Sequence, residues 1–144
     1  MKKEGAATAA NTEGGMSKTD FEKLADFRYQ LRRFLRFSEQ ATRMMGATSL
    51  QYLLMLHIKG LPARERATVG ELAERLQAKH HGVVSLVSRC EAAGWVRRTI
   101  SSGDRRRVEV ALTEEGSRRL AQLVRLHRAQ IMSRQAAGFL GLHS

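Results

Sequence analysis

The segment TISSGDRRRVEV, Thr99 to Val110, places three consecutive arginines between a Ser-Ser-Gly-Asp turn and an alternating Val-Glu-Val. Turn residues followed by period-two alternation predict a β-hairpin with Arg105, Arg106 and Arg107 at its tip. A tip has no side-chain partners within its own fold, so guanidinium groups there either stand in water or meet an anion. A guanidinium presents parallel N–H donors that match phosphate and the guanine edge. Asp104 can hold one of them by a charge-assisted hydrogen bond, and Arg97 and Arg98 add phosphate-reaching charge to the strand before the tip. A charge run alone is most often a solvated face, so the elements that carry it decide its meaning.

From Thr19 to Met45, the residues Leu24, Phe27, Leu31, Phe34, Leu35 and Met45 recur largely at spacings of three and four, which predicts a long amphipathic helix. Gly46 ends it. Thr48 can cap the next element, SLQYLLMLHI from Ser49 to Ile58, which is apolar nearly all round and predicts a buried helix. Lys59 to Ala67, containing the only proline, Pro62, reads as a loop. Thr68 then stands as N-cap with Glu71 three residues on, and Leu72 and Leu76 complete a short helix. After the turn QAKH, the residues Val83, Leu86, Val87 and Cys90 give a second helix one apolar face, and Gly94 ends it. Strands Trp95 to Ile100 and Val108 to Leu112 follow, and Thr113 caps a last helix carrying Leu120, Val124 and Ile131.

Two helices across a short turn, then a hairpin, predict a mainly α fold with a small β-hairpin: a winged helix-turn-helix. In such a unit the second helix enters the major groove, so its outward face must be short and polar. Here that face, within residues 80–93, holds His81, Ser85 and Ser88, with Arg89 at its edge and Lys79 and His80 at its start. Val84 at the boundary can touch a thymine methyl. The same pattern also describes the solvated side of any amphipathic helix. The hairpin favours DNA, because a wing beside a major-groove helix reaches the adjacent minor groove, whose negative potential attracts arginine. The candidate DNA-binding set is therefore Lys79, His80, His81, Ser85, Ser88, Arg89, Arg97, Asp104, Arg105, Arg106 and Arg107.

Composition agrees with an anionic partner. The 144 residues suffice for one domain with a core, and the formal net charge is +11. Of 25 basic residues only six are lysine, so nineteen are arginine. Met1 to Lys18 reads as a disordered arm, residues 1–18, without the apolar run of a signal peptide; Met16 opens MSKTDFEKL where helical periodicity begins and is a candidate start. No stretch approaches the length of a membrane span, and a single cysteine gives no intramolecular disulfide framework, so a reducing cytoplasm is the expected setting.

The run TVGELAERLQAKHHGVVSLVSRCEAAGWVRRTISSGDRRRVEVALTEEG, Thr68 to Gly116, resembles the core of the MarR family of bacterial winged-helix transcription regulators. The Asp-Arg-Arg wing followed by Leu-Thr-x-x-Gly is the most specific part. The resemblance implies that Asp104 braces the wing, that Arg106 inserts in the minor groove, and that Lys79 to Ser85 begin the recognition helix. It also implies a homodimer. A lobe of residues 47–112 would bind DNA, and residues 19–45 and 113–144 would pair the copies, with Leu24, Phe27, Leu31, Phe34 and Leu35 facing Leu120, Leu123, Val124 and Ile131. The chain departs from the family in its KHHG start to the recognition helix and in ending about thirty residues after Leu112.

The remaining chemistry is sparse. Cys90 sits on an apolar face and reads as a buried small hydrophobe. His57, His80, His81, His127 and His143 include no helical zinc pair, and no phosphate loop, nucleophile elbow or paired carboxylates suggest an enzyme or a cofactor. Met44, Met45, Met55, Phe34 and Tyr52 would, by the resemblance, line a pocket for a small hydrophobic or aromatic effector; plain core packing accounts for the same residues. The expected function is that of a cytoplasmic, homodimeric regulator of double-stranded DNA, a repressor on a pseudo-palindromic operator. The competing reading is an interaction or nucleoid-binding module without operator specificity.

Overall fold

The computed structural model describes residues 12–100, 103 and 107–136. They fall into two compact units, one drawn from Met1–Phe37 with Ile131–Ser144 and the other from Ser38–Gln130. In chain order the elements are β1 (Thr12–Glu13), β2 (Met16–Ser17), α1 (Lys18–Met44), α2 (Ser49–Lys59), β3 (Arg66–Thr68), α3 (Val69–Leu76), α4 (His80–Ala92), β4 (Val96–Ile100), β5 (Val108–Leu112) and α5 (Glu114–Ala136).

In the first unit, the segment expected to be an irregular arm contains a small antiparallel hairpin, with Thr12 opposite Ser17 and Glu13 opposite Met16. Gly14 and Gly15 both take positive φ, which a two-residue loop of matching twist requires. Ser17 and Asp20 then close the start of α1 reciprocally: the Ser17 N–H donates to Asp20 Oδ2 at 2.9 Å and the Asp20 N–H donates back to Ser17 Oγ at 3.2 Å. Along α1 the residues Phe21, Leu24, Phe27 and Leu35 stay exposed, Leu24 by 62%.

The second unit has one core. Leu54, Met55 and Ile58 of α2, Leu72 of α3, Val83, Val87 and Cys90 of α4, Val96 and Val110 of the sheet and Leu123 of α5 are all but inaccessible to solvent. Both predicted caps form. Thr48 accepts from the Gln51 N–H while Gln51 Oε1 accepts from the Thr48 N–H, and Thr68 and Glu71 repeat the exchange. The Thr68 backbone N–H holds the Glu71 carboxyl below the ordinary carboxylate range, and the Arg64 guanidinium adds to this.

Two expectations are corrected here. Arg66 and Ala67, read as loop, form a third strand with Thr68: the sheet order is β3-β5-β4, so β5 is paired on both sides. Leu120 and Leu123, expected to face a partner chain, belong to the core, 3% and 1% exposed. An apolar stripe states that a face is buried but not against what.

Leu-Thr-x-x-Gly has a steric cause. The Thr113 N–H donates to Trp95 O, Thr113 Oγ1 donates to Gly94 O at 2.6 Å and the Gly116 N–H donates to Thr113 Oγ1. This lays the first turn of α5 against the chain reversal before β4. A Cβ on Gly116 would stand 2.0 Å from Trp95 O, so no other residue fits there without backbone movement. Arg119 locks the same corner, its guanidinium 5.3 Å from the Trp95 ring centroid and donating to Met45 O at 2.8 Å. Deeper in, the His127 ring stacks on Tyr52 at 4.4 Å; its Nδ1 lies 2.7 Å from Leu123 O and its Nε2 2.7 Å from Ser38 Oγ. Since a carbonyl only accepts, Nδ1 carries the proton.

Candidate nucleic-acid interface

The site is built on α4 and on the strands that follow it. Val83, Leu86, Val87 and Cys90 are buried, which turns Lys79, His80, His81, Ser85, Ser88 and Arg89 to solvent, with Val84 at the margin. The short turn Gln77–Lys79 orients this helix. Gln77 takes the left-handed conformation as the C-cap of α3, and its Nε2 donates to Glu74 O at 2.7 Å. Lys79 is the N-cap of α4, and no side chain caps its first turn. Gly94, with φ of +83°, reverses the chain into β4.

The two adjacent arginines of β4 behave oppositely, because successive strand residues face opposite sides of a sheet. Arg98 turns toward α4. Its N–H and Nη1 donate to the two oxygens of Glu91, both at 2.9 Å, and its Nη2 donates to Ser88 Oγ at 2.7 Å and Val84 O at 3.1 Å. The expectation that Arg98 reaches phosphate is therefore corrected: its guanidinium is spent joining β4 to α4. The Arg98 backbone N–H is the chief cause that holds the Glu91 carboxyl below its ordinary range. Ser88 Oγ, flanked by Arg98 and by Val84 O, lies at the centre of this joint.

Arg97 faces the other side of the sheet and is exposed. So is Arg107, which stands before β5 with its Nε 3.9 Å from Glu109 Oε1. Asp104, Arg105 and Arg106 lie outside the described residues. The geometry thus brings Lys79, His80, His81, Ser85, Ser88 and Arg89 to the exposed side of α4 and its start, and sets Arg97 on β4 and Arg107 just before β5. What sequence reasoning missed is the Arg98–Glu91 joint; its signal was the strand alternation that puts Arg98 on the side of Val96.

Cys90 is fully buried, and burial pushes its thiol up to about 11. Tyr52 and Met55, considered for an effector pocket, are packed into the core, whereas Met44 stands in solvent. Among the described residues no group of three or more His, Cys, Asp or Glu is placed to hold a metal ion, and no helix is long and apolar enough to cross a membrane.

Residues 45–107 match the family model described as MarR family. Solved structures agree over most of the chain. AbsC, a MarR family transcriptional regulator from Streptomyces coelicolor, superposes with a TM-score of 0.70 at 21% identity, covering 81% of this chain and 78% of its own. The fold is that of the MarR-family regulators. The transcriptional regulator BldR from Sulfolobus solfataricus gives 0.65 at 23% identity, with 84% and 86% covered. The S. aureus MepR F27L mutant, bound to an oligodeoxyribonucleotide, gives 0.60 at 19% identity, with 86% and 84% covered. No curated protein matches the sequence significantly. The matched residues include α2, β3, α3, α4 and β4, and the first turn of α5 is seated against Trp95 by Gly116.

Proposed function

We propose that the protein is a sequence-specific binder of double-stranded DNA that regulates transcription, a homodimeric repressor whose α4 reads the major groove and whose wing, residues 101–107, enters the minor groove. The observation that carries this reading is the Arg98 joint, which ties the first strand of the wing to the polar face of α4. His81 and Ser85 then read base edges, Lys79, Arg89 and Arg97 meet phosphates, and Arg106 supplies minor-groove charge. A fold shared with a DNA-bound MepR supports this reading.

A single winged helix reads few base pairs, so specificity needs two copies at fixed spacing. The exposed apolar residues Phe21, Leu24, Phe27 and Leu35 of α1 are the pairing surface we assign to the second copy. The chemistry is that of binding, with no catalytic step.

Selection of bound duplexes from a random pool tests the proposal. A palindromic consensus bound ~10³-fold or more tightly than its scrambled version is the expected result. Equal affinity for both duplexes would replace the regulator with a general nucleic-acid or acidic-protein binding module.

A further inference from the structure

The outer face of the sheet carries a second basic feature, away from α4. Register sets Arg66 of β3 and Arg97 of β4 opposite the same residue of the central strand, Ala111. Neighbouring strands lie about 4.8 Å apart, so the two arginine backbones are roughly 10 Å apart across a methyl group. A small residue between two long cationic ones makes a notch. A cleft of about 290 Å³ occupies this place, lined by Arg66, Arg97 and Ala111 together with Lys59, Glu65, Thr99, Leu112 and Ser117.

The charges in the cleft do not cancel. Lys59 is paired with Glu65 at 2.8 Å. Arg66 reaches Glu109 only at 3.9 Å, and shares that carboxylate with Arg107. The Arg97 side chain makes no ion pair or hydrogen bond among the described residues. Like charges brought together on one sheet face are unfavourable unless an anion lies between them. The volume is at the lower end of small-molecule sites, about 300 Å³. Two guanidinium groups and two hydroxyls lining a concavity of that size, with the Glu65 carboxylate already taken by Lys59, suit a compact dianion better than a nucleic-acid backbone, which needs a row of cations along an open surface.

We propose that this cleft binds a small phosphate-bearing anion, gripped between Arg66 and Arg97 over Ala111. The cleft shares Arg97 with the phosphate contacts proposed above, but it lies on the sheet face away from α4 and its test needs no DNA.

Calorimetric titration of the full chain with pyrophosphate, and separately with inorganic phosphate, in phosphate-free buffer should give saturable binding of one anion per chain. Arg97→Gln should weaken it about tenfold or more, the loss expected for one charge-assisted contact, while Arg89→Gln on α4 leaves it unchanged. Ala111→Glu sets a carboxylate between the two arginines, so it should abolish binding while keeping or raising the thermal midpoint. Absent saturation, or equal affinity in wild type and Arg97→Gln, would overturn the proposal. So would a result in which Arg97→Gln lowers only the salt dependence of duplex binding, which would make the cleft a backbone contact.

Discussion

The Arg98 guanidinium on β4 donates to the Glu91 carboxylate on α4 at 2.9 Å, and the same guanidinium reaches Ser88 and Val84 one and two turns earlier. One side chain therefore sets the angle between the two parts proposed to read DNA. Both partners are partly solvated, so Arg98→Met should cost stability by only about 1 kcal/mol. Operator affinity should fall by more than that, since the wing loses its registration. Equal losses in the two measurements would reduce the joint to an ordinary surface contact.

The same pair predicts a pH dependence. The folded Glu91 pKa is depressed below its unfolded value, first by the Arg98 N–H, so its contribution is present above the ordinary carboxylate range and is lost as pH falls through the depressed value. Thermal midpoints of wild type and Glu91→Gln should differ near neutrality and converge in acid. A constant difference at all pH values would assign the loss to something other than the carboxylate's charge.

Gly116→Ala should be among the most damaging small substitutions in the chain. The added methyl meets the Trp95 carbonyl, which is backbone and cannot rotate aside, so the cost is at least the ~1 to 3 kcal/mol typical of overpacking. Urea unfolding measures it. A variant as stable as wild type would mean that α5 can move off the lobe freely.

Cys90 should be silent toward oxidants. With its thiol pushed up to about 11 by burial, almost none is thiolate at pH 8, and no path leads to it from solvent. A disulfide reagent should label the native protein negligibly and the denatured protein at once. Peroxide should leave DNA affinity unaltered.

Leu123 and Phe27 separate folding from assembly. Leu123→Glu buries a charge in the core and should prevent folding, whereas Phe27→Glu lies on an exposed face and should yield a folded monomer with poor operator affinity. Sedimentation and circular dichroism read the two outcomes. A folded dimer of Phe27→Glu would move the pairing surface away from α1.

Changes at His81 and Ser85 should alter which duplexes are preferred, whereas Arg106→Ala should weaken all of them by ~1 to 3 kcal/mol with native stability. Ranking operator variants for each protein distinguishes base reading from phosphate positioning. A uniform loss for His81→Ala and Ser85→Ala would assign both to the backbone.

Much of this architecture is legible in the chain because its signals are local. Thr48 with Gln51, Thr68 with Glu71, and Gly94 each announce a helix boundary within four residues, and Val83, Leu86, Val87 and Cys90 fix which side of α4 is hidden. The parts that were not legible depend on distant partners. Arg66–Thr68 is too short to show a period, and becomes a strand only because β5 offers it a free edge. Leu120 and Leu123 carry no mark of whether their burial is within the chain or between chains. Arg97 and Arg98 look alike in the sequence, and only the alternation set by Val96 sends one outward and the other to Glu91.

Every other major helix of the lobe begins on a threonine that ties down its first amides, yet Lys79 leaves the first turn of α4 untied. The helix end proposed to touch DNA is thus without a side-chain cap, and local opening should begin there. In hydrogen exchange the amides of residues 80–82 should turn over faster than those of 49–51, and an operator should slow them selectively. Affinity at that helix end would then include an ordering cost, so a residue able to cap position 79 should tighten binding by rigidity alone, without touching a base.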